Sequence, residues 1–161
     1  MDYFELPISK GMKTKIDFED YERLKSQNLL KWNAQKSGKR FYVSRNVGKT
    51  KIYLHRYIMN TPKGMCIDHI NRDPLDNRKE NLRVCSYRQN SANKAGLHAF
   101  KGITKSKDMW AAQICGVVLG YFTTAADAAR AYDIAASFVY KDFAHLNFEF
   151  SKKFKKLWEN D

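Results

Sequence analysis

Residues 65–94 read MCIDHINRDPLDNRKENLRVCSYRQNSANK, and they carry the strongest structural pattern in the sequence. Met65 to Ile70 is an apolar segment typical of a short strand, and it contains the pair Asp68-His69. The following loop is rich in the turn residues Asn, Asp and Pro. Leu82 to Cys85 predicts a second strand, and Ser86-x-x-Gln89 is a capping box that opens a helix through about Lys94. The predicted order is strand, loop, strand, helix.

Four polar residues stand at the corners of this unit, and together they suit phosphodiester hydrolysis. His69 can act as a general base, because a neutral imidazole is available near pH 7. Asp68 and Asn90 offer hard oxygen ligands, which favour Mg or Mn over zinc, and Asn81 could orient the histidine loop through its amide. The bland alternatives are an Asp-His pair that occurs by chance, asparagines that merely form turns, and an Asn90 that faces solvent. Spacing alone leaves catalysis open.

The charge pattern upstream of this stretch points to phosphate. The chain carries a net charge of +12, and Arg23 to Ile67 holds 11 Lys and Arg with no Asp or Glu. Within it, apolar residues alternate on both sides of Asn46-Val47-Gly48-Lys49, which predicts a basic hairpin. We therefore expect Arg40, Arg45, Lys49 and Lys51 to contact phosphates, the alternative being an ordinary solvated basic face.

Composition places the chain among folded proteins. It has 161 residues, of which 43% are hydrophobic and 14% aromatic. The start is strand-like, Asp17 to Lys25 predicts a short helix opened by Asp17 and Asp20, and His55 to Asn60 predicts another that stops before Pro62. No stretch is long and apolar enough for a membrane span, so we expect a soluble intracellular protein without membrane partners. Cys66, Cys85 and Cys115 are interpreted as buried hydrophobes, which leaves neither a disulfide framework nor a structural zinc site.

The run LHRYIMNTPKGMCIDHINRDPLDNRKENLRVCSYRQNSANK resembles the HNH endonucleases of phage and intron type. The Asp-His pair, the Asp-Asn-Arg loop, the Glu-Asn-Leu-Arg strand and the Gln-Asn-x-x-Asn helix occur in the family's order, and the resemblance covers about residues 40 to 95. It implies a ββα-metal fold in which Asp68 and Asn90 hold one divalent cation, Mg or Mn. It also implies that His69 activates water and that Asn81 fixes the histidine. The third motif position is Asn90, where the family name has His.

The second half carries a different resemblance. FKGITKSKDMWAAQICGVVLGYFTTAADAARAYDIAASFVYKDFAHLNF, residues 100–148, resembles the plant-type ethylene-response-factor DNA-binding domain, a three-stranded antiparallel sheet with one helix. The residues alone predict strands at Lys101 to Thr104, Trp110 to Ile114 and Val117 to Phe122. Thr123 or Thr124 would cap a helix whose alanine stripe is interpreted as packing against the sheet.

That resemblance implies a sheet that enters the major groove of DNA. The DNA-facing residues would be Lys101, Thr104, Lys105, Lys107, Trp110 and Gln113. The family's arginines are largely replaced by Lys and Thr, and the hairpin after Ile114 is cut to a Cys115-Gly116 turn. Because Lys lacks the bidentate fork of Arg, we expect a positioning module more than a sharp reader of bases.

We therefore expect an α+β protein in three parts. Residues 1–95 form the basic hairpin region and the ββα-metal nuclease domain, residues 96–150 the ethylene-response-factor-like domain, and residues 151–161 a basic amphipathic tail that packs on the body or contacts phosphate. The expected function is a metal-dependent, site-specific endonuclease of the homing or phage-encoded kind that acts on double-stranded DNA as a monomer, in the cytoplasm of a bacterial host. With one nuclease centre and no internal repeat, nicking is the expected main product. Two alternatives stay open: a non-enzymatic DNA-binding regulator with a degenerate nuclease site, and an RNA-binding or ribosome-associated protein.

Overall fold

Small antiparallel sheets and short helices build the described part of the chain. The computed structural model describes residues 3–96 and 99–148. These residues fall into two compact units that divide between Asn90 and Ser91, within a helix. Each unit has its own hydrophobic core. The expected tail, residues 151–161, lies outside the described residues.

The first unit opens with a hairpin followed by a helix. Its strands β1 (Tyr3–Pro7) and β2 (Lys13–Asp17) pair from Tyr3↔Asp17 to Pro7↔Lys13. The strand-like start is thus confirmed, and the helix begins at Phe18, one residue later than predicted. Asp17 is the N-cap, but its carboxylate accepts a hydrogen bond from the backbone N–H of Lys79 instead of capping its own helix. The helix is α1 (Phe18–Ser26).

A three-stranded sheet, here called the basic sheet, lies in the middle of the acid-free segment. Its elements are β3 (Asn33–Ser37), β4 (Arg40–Val47) and β5 (Thr50–Tyr53), in the order β3-β4-β5. The predicted hairpin is confirmed as β4 and β5, and its turn is only Gly48-Lys49, since Val47 pairs with Thr50. β3 was not predicted, because its sequence NAQKS has no apolar alternation and only Ala34 is buried.

The strand, loop, strand, helix order predicted from residues 65–94 is present. It consists of β6 (Cys66–His69), β7 (Leu82–Cys85) and α3 (Tyr87–Ala92), preceded by α2 (Leu54–Ile58). β6 and β7 are antiparallel, with Asp68 opposite Arg83 and His69 opposite Leu82. The capping box is confirmed: the Gln89 N–H donates to Ser86 Oγ at 3.2 Å, and the Ser86 N–H donates to Gln89 Oε1 at 2.9 Å.

One apolar core joins the sheets of the first unit with helices α1 and α2. Its buried side chains come from both hairpins, from α1 and α2, and from the β6-β7 pair. They include Leu6, Ile16, Leu24, Trp32, Val43, Leu54, Ile58, Ile67 and Leu82. Because Ile67 and Leu82 anchor the two strands on either side of the loop 70–81, burial of the core positions the polar residues at the strand ends.

The second unit contains the predicted three strands and helix. They are β8 (Ile103–Ser106), β9 (Met109–Ile114), β10 (Val117–Phe122) and α4 (Ala125–Tyr140), with the sheet order β10-β9-β8. Thr124 is the N-cap, and its Oγ1 accepts from the Asp127 N–H at 3.1 Å. The alanine stripe is buried at Ala128, Ala129 and Ala136. The helix therefore packs through its small face.

One cysteine interpretation is wrong. Cys85 is buried and Cys66 is half-buried, but Cys115 is exposed. Cys115 and Gly116 form the two-residue turn between β9 and β10, and both have positive φ, as a type I′ turn requires. The turn geometry places Cys115 outside the core despite its apolar neighbours. None of the helices formed by residues 3–96 and 99–148 is long and apolar enough to cross a membrane.

Candidate active site

The predicted pair Asp68-His69 lies at the end of β6, and both side chains are buried. Asp68 is held from the opposite strand, because Arg83 Nε and Nη2 both donate to its Oδ2, at 2.8 and 2.7 Å. Since Asp68 and Arg83 are directly paired across the sheet, their side chains lie on the same face. The carboxylate is therefore fixed in place by a charge-assisted contact.

Asn81 organises the loop that follows His69. Its Oδ1 accepts from the Asn71 N–H at 2.9 Å, and its Nδ2 donates to the backbone oxygen of Asp76 at 2.8 Å. The backbone of Ile70 also donates to the Asn81 backbone oxygen at 2.9 Å. Asn81 thus ties the start of the loop to its end. The side-chain contact with the imidazole of His69 comes from a different asparagine.

Asn77 makes the side-chain contact with His69. It is completely buried, and its Oδ1 lies 3.4 Å from His69 Nε2. The amide nitrogen of Asn77 donates to Thr14 Oγ1 at 2.8 Å and to the Pro74 backbone oxygen at 3.1 Å. The backbone N–H of Asn77 donates to the Lys15 oxygen at 2.8 Å, so strand β2 supports the loop through both backbone and side chain.

Aromatic rings also contact His69. The ring of His55, from α2, lies edge to face with that of His69, with centroids 5.2 Å apart. Tyr53 stacks on His55 with centroids 5.5 Å apart, and Tyr42 meets both histidines edge to face at 6.2 and 6.4 Å. Tyr42 and Tyr53 belong to β4 and β5. The basic sheet therefore forms one wall of the site.

Burial controls the protonation of both histidines. It lowers the pKa of His69, an effect opposed by the hydrogen bond to Asn77 and by the negative charge of Asp68. Burial also lowers the pKa of His55, to about 3, and the neighbouring His69 and Arg56 act in the same direction. Both imidazoles are neutral at physiological pH.

Asn90 lies one turn into α3 and is half-buried. Asp68 and Asn90 both influence the pKa of Cys85. Burial raises the pKa of that thiol to about 11, the Asp68 charge adds to the rise, and a backbone hydrogen bond of Asn90 opposes it. Among the described residues, no group of three His, Cys, Asp or Glu side chains could hold a metal ion. Asp68 carries a carboxylate and Asn90 an amide, and both groups offer oxygen donors.

The four basic residues expected to contact phosphate occupy different positions in the basic sheet. Arg40 and Lys51 are exposed, and by strand register they share the face that carries Tyr42 and Tyr53. Lys49 is exposed in the turn. Arg45 lies on the opposite face, where its guanidinium stacks 5.6 Å from the ring centre of the buried Trp32. Arg40, Lys49 and Lys51 are therefore open to a phosphate backbone, whereas Arg45 packs on the core.

The six residues expected to face DNA in the second unit are also divided. Thr104 and Gln113 are exposed on the sheet face away from α4 and bond to each other at 2.9 Å. Lys107 is exposed in the β8-β9 turn, and Lys105 is exposed with its ammonium 5.4 Å from the ring centre of Trp110. Trp110 is half-buried against the cluster that includes Ala112 and Ala128.

Lys101 precedes the sheet and has a different set of partners. Its ammonium donates to the backbone oxygens of Ser91, Ala92 and Lys94 at the end of α3. This contact satisfies helix-terminal carbonyls with a cation, which is favourable at that end of a helix.

Sequence reasoning missed four residues around His69, namely Thr14, Tyr42, His55 and Asn77. Asn77 stood inside the Asp-Asn-Arg loop that carried the HNH resemblance, and His55 stood inside the same run of sequence. Both could have been singled out there. Nothing in the sequence around Thr14 distinguishes it from any other polar residue of an alternating strand, because its partner is 63 positions away.

Two comparisons with known proteins point to the same family. The family model described as HNH endonuclease matches residues 60–92, which hold β6, the loop 70–81, β7 and α3. A protein of Acanthamoeba polyphaga mimivirus, named as an uncharacterized HNH endonuclease, is 32% identical over 156 residues, which cover 90% of this chain and 80% of that protein. No solved structure matches the chain.

A ββα unit with a buried Asp-His pair at its first strand defines the class of the protein as a nuclease. The chain belongs to the HNH endonuclease family.

Proposed function

We propose that this chain is a metal-dependent, site-specific endonuclease that cleaves one strand of double-stranded DNA. The observation that carries the proposal is the placement of His69, a neutral imidazole held by Asn77 and His55 next to the fixed carboxylate of Asp68. His69 accepts a proton from the attacking water, whose oxygen bonds to phosphorus as the bond from phosphorus to the leaving oxygen breaks. Asn81 holds the loop so that the base stays in position.

Asp68 and Asn90 are the residues that would hold the divalent cation. Their donors fit Mg or Mn, since both supply oxygen, and neither a cysteine ligand nor a structural zinc is part of the proposal. When bound, the cation neutralises charge on the phosphate and the leaving oxygen. Arg83 fixes the Asp68 carboxylate through Oδ2.

Duplex DNA is proposed to run over the exposed basic residues of the basic sheet. These residues belong to the same sheet as Tyr42 and Tyr53, whose rings pack against the two histidines of the site. The second unit is proposed as a DNA-binding module similar to the ethylene-response-factor domain. Its open sheet face carries Thr104 and Gln113, and Lys105 and Lys107 add positive charge. Lysines there favour positioning on phosphates over discrimination among bases.

The proposed product is a nick. A single nuclease centre bound as a monomer to an asymmetric site aligns with one scissile phosphate at a time. A homing or phage-type mobile element acting in a bacterial cytoplasm is the setting we propose, and the viral relative is compatible with a mobile origin.

The deciding experiment compares the wild-type protein with His69→Ala on supercoiled plasmid DNA containing candidate targets, with Mg or Mn and with EDTA. Cleavage that requires the metal and falls by about 10² to 10⁴-fold in the variant supports the proposal. DNA affinity should change little. Equal cleavage by the purified variant would remove His69 from the mechanism.

A further inference from the structure

The N-terminal hairpin reaches the catalytic base through one buried hydroxyl. Thr14 of β2 is 1% exposed, and its hydroxyl donates to the Leu75 backbone oxygen at 2.7 Å. The same oxygen atom accepts from Asn77 Nδ2 at 2.8 Å. Because the hydroxyl hydrogen is committed to Leu75, Thr14 presents a lone pair to Asn77 and requires an N–H donor there.

This requirement, together with that of the Pro74 backbone oxygen, determines which way the Asn77 amide points. Both hydrogens of its Nδ2 are used, one by Thr14 Oγ1 and one by the Pro74 backbone oxygen at 3.1 Å. The amide oxygen is therefore the atom that meets His69 Nε2, at 3.4 Å. An oxygen at that position is an acceptor, so the hydrogen of a neutral His69 imidazole belongs on Nε2, and Nδ1 keeps the lone pair.

The backbone supports the same chain of contacts. The Lys15 N–H donates to the Leu75 oxygen and the Asn77 N–H donates to the Lys15 oxygen, each at 2.8 Å, and Lys15 forms a parallel bridge with Asp76. The loop 74–77 is thus attached to β2 as a short extra strand would be. A shift of β2 would move the Asn77 amide with it.

We propose that Thr14 is a positioning residue for His69, acting through the amide of Asn77, so that the N-terminal hairpin belongs to the catalytic apparatus. The inference rests on the proposed function in taking His69 as the base. Thr14 itself touches no reacting atom. Its effect is to keep one orientation of Asn77 and hence one tautomer of His69.

The test uses the full-length chain and two substitutions of similar size. Thr14→Val keeps the shape of the side chain and removes the hydroxyl, whereas Thr14→Ser keeps the hydroxyl and removes a methyl group. The imidazole nitrogens are observed by long-range ¹H–¹⁵N NMR at pH 7.5, and the His69 signals are assigned by their loss in His69→Gln. Cleavage is measured in parallel as kcat and KM.

In the wild type and in Thr14→Ser, we expect the His69 signals of the Nε2–H tautomer. In Thr14→Val, we expect the Nδ1–H tautomer to appear and kcat to fall about 10- to 100-fold with KM unchanged. An Nδ1–H tautomer in the wild type would overturn the inference, as would a Thr14→Val protein with wild-type tautomer and wild-type kcat. If Thr14→Val does not fold, the tautomer of His69 in the wild-type protein alone decides whether the inference stands.

The NMR readout separates this inference from the proposed function. A wild-type protein that shows the Nε2–H tautomer but cleaves no DNA would overturn the proposed function and leave the link from Thr14 to His69 standing. A protein that cleaves DNA through His69 but holds the other tautomer would overturn only the link.

Discussion

The imidazole rings of His55 and His69 meet edge to face inside the first unit, with centroids 5.2 Å apart and planes at 82°. His55 Nδ1 is buried and has no hydrogen-bond partner within the described residues. An unpaired buried nitrogen costs about 1 to 3 kcal/mol, so this position would be occupied more stably by a hydrocarbon ring. A protonated His55 would be costlier still, since it would place a charge against His69 without a counterion.

The first prediction concerns acid stability. Because burial lowers the pKa of folded His55 to about 3, the unfolded chain binds a proton there first as the pH falls below about 6.5. The free energy of unfolding therefore decreases, and at pH 5 the loss due to His55 is about 2 kcal/mol. His55→Phe should remove that loss. Urea unfolding of both proteins at pH 7 and pH 5 measures it.

Other groups also titrate over this range, so the informative quantity is the difference between the two proteins. At pH 7, His55→Phe should be at least as stable as the wild type, because the unpaired nitrogen is gone. An identical loss of stability on acidification in both proteins would show that His55 is accessible to protons in the folded state.

The second prediction separates the metal from the fold. The first unit folds around an apolar core that includes neither Asp68 nor Asn90. Metal binding should therefore require the fold, whereas the fold should not require the metal, unlike in a protein with a structural zinc site. EDTA should stop DNA cleavage and leave the melting temperature unchanged within about 2 °C. Since a loss of about 1 kcal/mol of stability lowers the melting temperature of such a domain by several degrees, this limit means that chelation costs well under 1 kcal/mol. Differential scanning fluorimetry with and without EDTA measures it. A large drop in melting temperature on chelation would contradict the prediction.

Local signals in the sequence predicted the nuclease unit well. Ser86 and Gln89 form their capping box within four residues, and the turn chemistry of the loop acts over similarly short distances. The alternation around Gly48 likewise gave β4 and β5. Such patterns are readable because the interacting groups are near one another in the chain.

The contacts around His69 are longer-range and were not predicted. Thr14 meets Asn77 across 63 positions, and no local pattern records that contact. The polar strand β3 was not predicted for a related reason. It has no apolar alternation, and what makes it a strand is its pairing with β4. The interpretation of Cys115 failed because two positive φ angles in a tight turn outweighed its apolar neighbours.

The third prediction tests the path of DNA over the basic sheet. Neutralising Arg40, Lys49 and Lys51 together as glutamines should reduce the slope of log affinity against log salt by up to about 3, at ~0.9 per phosphate contacted. Arg45→Gln should leave the slope unchanged, because Arg45 packs over Trp32 on the other face. Fluorescence anisotropy with a labelled duplex at several salt concentrations measures both. If the triple variant keeps the wild-type slope, those side chains do not contact the backbone.

The last prediction compares two glycines of the second unit whose positive φ angles are nearly the same. Gly102 has φ +79° and Gly116 has φ +80°, so alanine at either position costs about 1 kcal/mol in the left-handed region. At Gly116 the new methyl group meets nothing within 4 Å. At Gly102 it would lie 1.8 Å from the ring of Tyr132, a core residue of α4 that is 3% exposed.

Gly102→Ala must therefore displace Tyr132 or the turn before β8, at a cost of several kcal/mol in total, whereas Gly116→Ala should cost only about 1 kcal/mol. Hydrogen exchange of the β8 and β9 amides measures the difference, since Gly102 accepts from the Gln113 N–H and the helix packs on this sheet. Equal exchange in the two variants would mean that Tyr132 rearranges freely and that this helix face is loosely packed. If the second unit also supplies DNA affinity, Gly102→Ala should weaken DNA binding far more than Gly116→Ala. Both substitutions add the same backbone strain, but only Gly102→Ala disturbs the packing of the unit.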